Sequence, residues 1–235
     1  VKIPFKLERA GRTVVEIEAA PGENELTLRN NRAAVAVNGV RDRLRVLLIT
    51  GEPHAGERIW RNFLKADPAV DLLHSTILRP PENQDGTPIR ELSLIAFPIR
   101  ELFEIKLSDF NLVIFDQYRR RGVLPTPYSE NVANYVRKGG AVCEAAGPAF
   151  SGPHSIYRTP LAEVLPGRPT GAIRTAGFRP NLTDLGKRHP VTADLPGADP
   201  EGGNPTWGRW FRQVEVVPSG GNTLMSGAGE QPLLI

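Results

Sequence analysis

Residues 45–66 read RVLLITGEPHAGERIWRNFLKA. Val46-Leu47-Leu48-Ile49 is an unbroken apolar run, the pattern of a strand covered on both faces of a parallel sheet. After the break at Gly51-Glu52-Pro53 the period changes. Ile59/Phe63 and Trp60/Leu64 each recur at four residues, which predicts a helix over Ala55–Ala66. A buried strand followed at once by a helix is the first half of a βαβ unit, and the same alternation continues downstream. Val70–Leu78 reads as a second strand and Leu112–Phe115 as a third. Thr126-Pro127 supplies a cap and a proline for a helix start, Val132, Ala133 and Val136 line its inner face, and Gly139-Gly140 ends it. Ala141–Ala145 is the fourth strand. The expected fold is therefore α/β: a doubly wound, mostly parallel sheet of flavodoxin-like type with right-handed crossovers.

The flanks behave differently. Ile3–Leu7, Thr13–Glu18 and Arg32–Val37 alternate as half-buried strands with no helical period. This short all-β segment sets residues 1–43 apart from an α/β domain at 44–235. Past Pro148 the order loosens: a short helix is expected at Thr159–Leu165, a strand at Gly171–Phe178, and later strands at Val214–Val217, Thr223–Met225 and Pro232–Ile235. The Gly- and Pro-rich stretch from Pro196 to Pro205 reads as a loop. The chain starts and stops inside strand-like segments, the pattern of a piece of a longer, C-terminally truncated protein.

Composition narrows the chemistry. Of 235 residues, 40% are hydrophobic and 23% charged, which is the balance of a folded domain rather than a disordered one. The formal net charge is only +3, and its densest run, Arg119-Arg120-Arg121, has no interleaved aromatics, so nucleic acid is not an expected partner. The single cysteine excludes an intrachain disulfide and any multi-cysteine zinc site. No apolar run reaches membrane-spanning length, so membrane contact would come only through segments outside this chain.

In an open α/β sheet, ligands bind beyond the carboxyl ends of the strands. That rim contains Glu52, His54, Asp116, Gln117, Tyr118 and Glu144, followed by Ala146, Gly147 and Pro148. These residues can line a pocket of acids and an imidazole, or can be no more than strand ends turning polar at the surface. The segment Trp207-Gly208-Arg209-Trp210-Phe211 offers either a contact surface or a cap on the domain's own core.

Residues 135–166, YVRKGGAVCEAAGPAFSGPHSIYRTPLAEVLP, combine a helix end, Gly-Gly, a strand, a small-residue turn and an aromatic. The run resembles the class I glutamine amidotransferase-like domains of large membrane-anchored bacterial proteins, which accompany von Willebrand A or immunoglobulin-like modules. His189-Pro190-Val191-Thr192 with Asp194-Leu195-Pro196-Gly197 is similar to an element of the ThuA-like branch, and RVLLITGEP fits the first strand of either. The resemblance covers roughly residues 44–235. It implies that residues 1–43 are the last strands of an immunoglobulin-like module, and that the protein belongs to the cell envelope.

The resemblance also says where a nucleophile should be. An amidotransferase places a cysteine on the tight turn after a strand, activates it with a histidine and orients that histidine with a glutamate two residues on. Here the turn is Ala145-Ala146-Gly147-Pro148, and Ala146 stands at the nucleophile's position. Cys143 lies three residues earlier, within the strand. His189 is followed by Pro190 and Val191, so the His-x-Glu pair is absent, and His154 follows the turn too closely to approach from across a pocket. The expectation is a non-catalytic module for an unknown small molecule or protein partner, with no cofactor and no metal. Two alternatives stay open: a hydrolase acting through Cys143 or an acid/histidine pocket, and a structural spacer.

Overall fold

The computed structural model describes residues 11–22, 25–27, 29–39, 43–51, 54–76, 99–120, 124–198 and 205–235. The expected strand Ile3–Leu7, the rim residue Glu52 and the end of the expected second strand at Leu78 lie outside these residues. The chain divides into two compact units, Val1–Arg43 and Leu44–Ile235.

In the first unit, β1 (Gly11–Glu18) and β2 (Arg32–Gly39) pair antiparallel, with Val15 opposite Val35. Arg32 and Glu18 close the open end at 2.9 Å, an exposed pair of little energetic weight. Val14, Ile17 and Val35 remain exposed. A two-stranded ribbon is marginal alone, so these described strands do not make a self-sufficient core.

The second unit is mixed α/β. Its centre is a four-stranded parallel sheet in the order β4-β3-β5-β6, from β3 (Leu44–Thr50), β4 (Val70–Thr76), β5 (Leu112–Asp116) and β6 (Ala141–Ala145). Side-chain alternation splits the core into two layers. Leu47, Ile49, Val113 and Phe115 face α2 (Thr126–Arg137), whose Val132 and Ala133 are fully buried against them. Val46, Leu48 and Ile114 face α1 (Ala55–Ala66) through Leu64 and Trp60. Each aliphatic side chain buried this way contributes about 1.5–3 kcal/mol.

Only one of the two four-residue pairs in α1 packs inward. Trp60 and Leu64 meet the sheet, whereas Ile59 and Phe63 are 69% and 71% exposed. The pairs sit on adjacent ridges about 100° apart, so one flat sheet cannot cover both. The second helix begins at Thr126, one residue before the sequence signal suggests. Pro125 takes the flanking position, and no side chain caps the helix. Its other end is a Schellman motif: Gly140 N–H donates to Tyr135 O at 3.0 Å and Gly139 N–H to Val136 O at 2.9 Å, with Gly139 at φ 100°.

Beyond β6 the βα alternation stops. Three short 3₁₀ turns, Pro148–Ser151, Ile156–Arg158 and Pro160–Glu163, insert Phe150, Ile156 and Leu161 into the α2-side core. The expected helix at Thr159–Leu165 is thus a single 3₁₀ turn, because Pro160 and the Thr159 hydroxyl set a tight start and nothing extends it. The expected strand at Gly171–Phe178 is shifted: β7 runs Gly167–Arg174 and pairs antiparallel with β9 (Gln213–Pro218), leaving Phe178 as an isolated bridge to Trp210. Between β7 and β9 in the chain lies β8 (Asn181–Leu182), which joins β10 (Met225–Ser226) and β11 (Pro232–Leu234) in a small antiparallel sheet. Gln213 ties the two antiparallel sheets together. Its amide donates to Pro232 O at 2.9 Å and accepts from Ala228 N–H at 2.8 Å. No helix among the described residues is long and apolar enough to cross a membrane.

Candidate functional site

The first connection carries the chain from β3 to β4 on one side, and β5 then returns to the other side of β3. The crevice at the carboxyl ends of β3 and β5 is therefore the topological switch point, where open α/β sheets bind ligands. Gly51 and Gln117 extend the ladder there, donating to Asp116 O at 3.2 Å and Ala145 O at 2.9 Å. Gln117 holds φ at 46°, an uncommon conformation outside glycine. Two glycines make room for it. A Cβ at Gly51 would lie 2.6 Å from the Gln117 carbonyl oxygen, and one at Gly147 would lie 2.9 Å from Gln117 Cγ.

On the α1 side, the strand ends and the first turn of the helix share one polar cluster. His54 is the N-cap of α1, and its Nδ1 accepts the Gly56 N–H at 3.1 Å. That assigns the ring proton to Nε2, which donates to Asp116 Oδ2 at 2.8 Å. Gln117 Nε2 approaches the same Nδ1 at 3.3 Å. Beside this pair, His74 Nε2 stands 3.4 Å from Glu57 Oε1 and 3.3 Å from Thr50 Oγ1, and Thr76 Oγ1 donates to Glu57 Oε1 at 3.2 Å. Burial pushes the Asp116 carboxyl above its ordinary range, with His54 opposing. Burial likewise pushes His74 below the usual imidazole range against the pull of Glu57, so at neutral pH the His74–Glu57 contact is a hydrogen bond rather than an ion pair. Both His54 nitrogens are engaged, which leaves no lone pair for general-base work. The cluster fixes α1 on the sheet edge.

On the α2 side the chemistry is unfinished. Glu144 pairs in register with Phe115, and the Tyr118 ring stands edge-on to Phe115 with centroids 5.5 Å apart. Glu144 Oε1 and Oε2 are buried without a hydrogen-bond partner among the described residues, while the Leu124 backbone approaches the buried Tyr118 hydroxyl. Burial pushes the Glu144 carboxyl well above the carboxylate range, reinforced by Asp116. Burial also raises the Tyr118 phenol to about 12, opposed by a backbone hydrogen bond from Leu124 and reinforced by Glu144. Burial and Asp116 both favour the protonated, neutral form of Glu144.

Cys143 alternates to the α1 side and packs on the core with Ile114. Burial raises its thiol above the ordinary value, and Glu144 and Asp116 raise it further, the opposite of nucleophile activation. Ala146 sits exposed after β6 without the left-handed backbone found at Gln117. Gly147 is buried against Gln117, and Pro148 opens the following 3₁₀ turn.

The structure brings together His54, Asp116 and Gln117, and separately Tyr118 and Glu144. Two other candidates stand elsewhere. His154 is exposed, its carbonyl accepting from Arg120 N–H at 2.9 Å. His189 accepts its own neighbour's N–H, from Val191, at 3.3 Å. Among the described residues no group of three or more His, Cys, Asp or Glu is arranged to hold a metal. The parts that sequence reading missed are Glu57, His74 and Thr76. Glu57 stands three residues after the cap, where a capping-box acid reaches back to the helix start, but it bonds across to β4 instead.

A groove of about 660 Å³ opens at the other edge of the sheet, beside the amino ends of β5 and β6. Its polar groups are structural latches. Tyr135 Oη donates to Phe110 O at 3.0 Å, Asn131 to Phe103 O at 3.0 Å, and Asn111 Oδ1 accepts Arg45 N–H at 2.8 Å. No protein-family model, curated protein or solved structure matches this chain.

Proposed function

We propose that residues 44–235 form a flavodoxin-like domain of the amidotransferase-like kind. In this reading it binds a small polar ligand at the carboxyl edge of β3, β5 and β6 and does not catalyse a reaction there. It serves as an interaction module in a larger protein of the cell envelope, with residues 1–43 as part of an immunoglobulin-like module. One observation carries the reading: at the switch-point rim, both carboxyl oxygens of Glu144 are buried with no partner among the described residues. Unsatisfied buried groups are costly in a stable fold, and a ligand that donates hydrogen bonds would satisfy them. The non-catalytic part of the reading is supported by Ala146, whose methyl group has no lone pair, and by a thiol buried on the α1 side of β6 with its pKa raised.

The reading is tested by titrating amines, small amides and monosaccharides into isotope-labelled protein and following the amides of Gln117, Tyr118 and Glu144 by NMR. Binders are expected to shift these signals in the parent and to lose affinity about tenfold or more in Glu144→Leu, the cost of one charge-assisted or buried hydrogen bond. A panel that leaves these amides unmoved while shifting others would end the proposal.

The hydrolase alternative makes a separate claim about the thiol. Cys143 is expected to resist a thiol reagent in the folded protein and to react once the chain is denatured. Fast labelling of the folded protein, with ammonia released from a small amide, would establish the enzyme instead.

A further inference from the structure

The segments Gly177–Pro180 and Trp207–Gln213 form a ribbon end that the strand-site reading leaves unexplained. Phe178 and Trp210 exchange both backbone hydrogen bonds at 2.8 Å, and their rings lie 6.3 Å apart. Trp207 turns inward, its indole N–H donating to Pro180 O at 2.9 Å, so only this aromatic serves as a cap. Trp210 and Phe211 are 49% and 69% exposed. Gly177 makes a flat floor on one face: a Cβ there would lie 3.4 Å from both the Arg209 guanidinium and the Phe211 ring. Arg179 and Arg212 are exposed beside them. Among the described residues Arg179, Arg209 and Arg212 form no ion pair, and Arg209 donates only to Gly177 O at 3.1 Å. The nearest ribbon acid, Glu215, is already engaged by Arg174 at 3.0 Å.

We propose that this ridge docks an acidic segment of a partner protein, one that presents carboxylates beside an apolar side chain. Guanidinium forks match carboxylates in a bidentate fashion, and exposed Trp and Arg are the residue types that dominate interface energetics. Positive charge that has no carboxylate partner among the described residues, gathered at one ribbon end, selects an acidic partner. It is too short a track for a nucleic-acid backbone, which is neutralised along many phosphates.

The probe is a fluorescein-labelled peptide of alternating Glu and Leu, titrated into the intact chain with anisotropy as readout. Binding is expected to weaken as salt is raised, and to fall about tenfold or more in Arg179→Gln/Arg209→Gln and in Trp210→Ser, with circular dichroism unchanged. The proposal is overturned if the parent does not bind the peptide, if the double variant binds it equally well, or if labelled oligothymidylate binds more tightly than the peptide.

Discussion

Gly51→Ala is expected to cost about 2–4 kcal/mol, among the larger effects open to a single added methyl group. The new Cβ would meet the Gln117 carbonyl oxygen at 2.6 Å and the Arg119 nitrogen at 2.9 Å. Both are backbone atoms of the segment that follows β5, so no side-chain rotation relieves the clash. The segment must move, and with it the hydrogen bond from Gly51 N–H to Asp116 O and the seat of Asp116 against His54. Gly208→Ala is the control, since nothing lies within 4 Å of its added carbon. Chemical denaturation of the two variants measures the difference, and equal midpoints would show that the β3–β5 edge yields more readily than this packing implies. Gln117→Gly separates strain from contact: it relieves a left-handed backbone, worth about 1 kcal/mol, while removing the amide beside His54.

Glu144→Leu is expected to stabilise the protein by about 1–3 kcal/mol at neutral pH, because it replaces a buried acid with no partner among the described residues by an apolar group of similar size. The sign with pH follows from linkage. The folded state holds the Glu144 proton more tightly than the unfolded chain, whose carboxyl titrates near the ordinary 4.5. The stabilising contribution is full below that value and is lost as pH rises toward the raised folded value. Asp116, also raised by burial, acts in the same direction. The parent should therefore lose stability between mildly acidic and alkaline pH, with a shallower slope in Glu144→Leu and Glu144→Gln. Only the leucine variant should also gain in absolute stability, since glutamine leaves a polar group buried. Urea midpoints across pH provide the measurement. Slopes identical in parent and variants would mean that Glu144 is ionised and partnered in the fold.

The parallel core was legible in local pattern. An apolar run at Val46–Ile49 can be buried on two faces only by a covered sheet, and Gly139-Gly140 ends a helix because glycine takes positive φ without penalty. The chemistry of the turn after β6 was equally local, since Ala146 offers only a methyl group whatever surrounds it. Which helical ridge of α1 would be covered was not local. Ile59/Phe63 and Trp60/Leu64 have the same spacing, and only the position of the sheet chose between them.

The site divides along the same line. Sequence alone placed His54, Asp116, Tyr118 and Glu144 near the strand ends, because each follows or ends an apolar run. Parallel register and pleat then sent Asp116 toward α1 and Glu144 toward α2, although their strands are neighbours. Residue types were enough to name the acids. Only the packed structure decided that one carboxyl is partnered by an imidazole and the other finds no partner among the described residues, because desolvation and hydrogen bonding depend on groups brought together from distant parts of the chain.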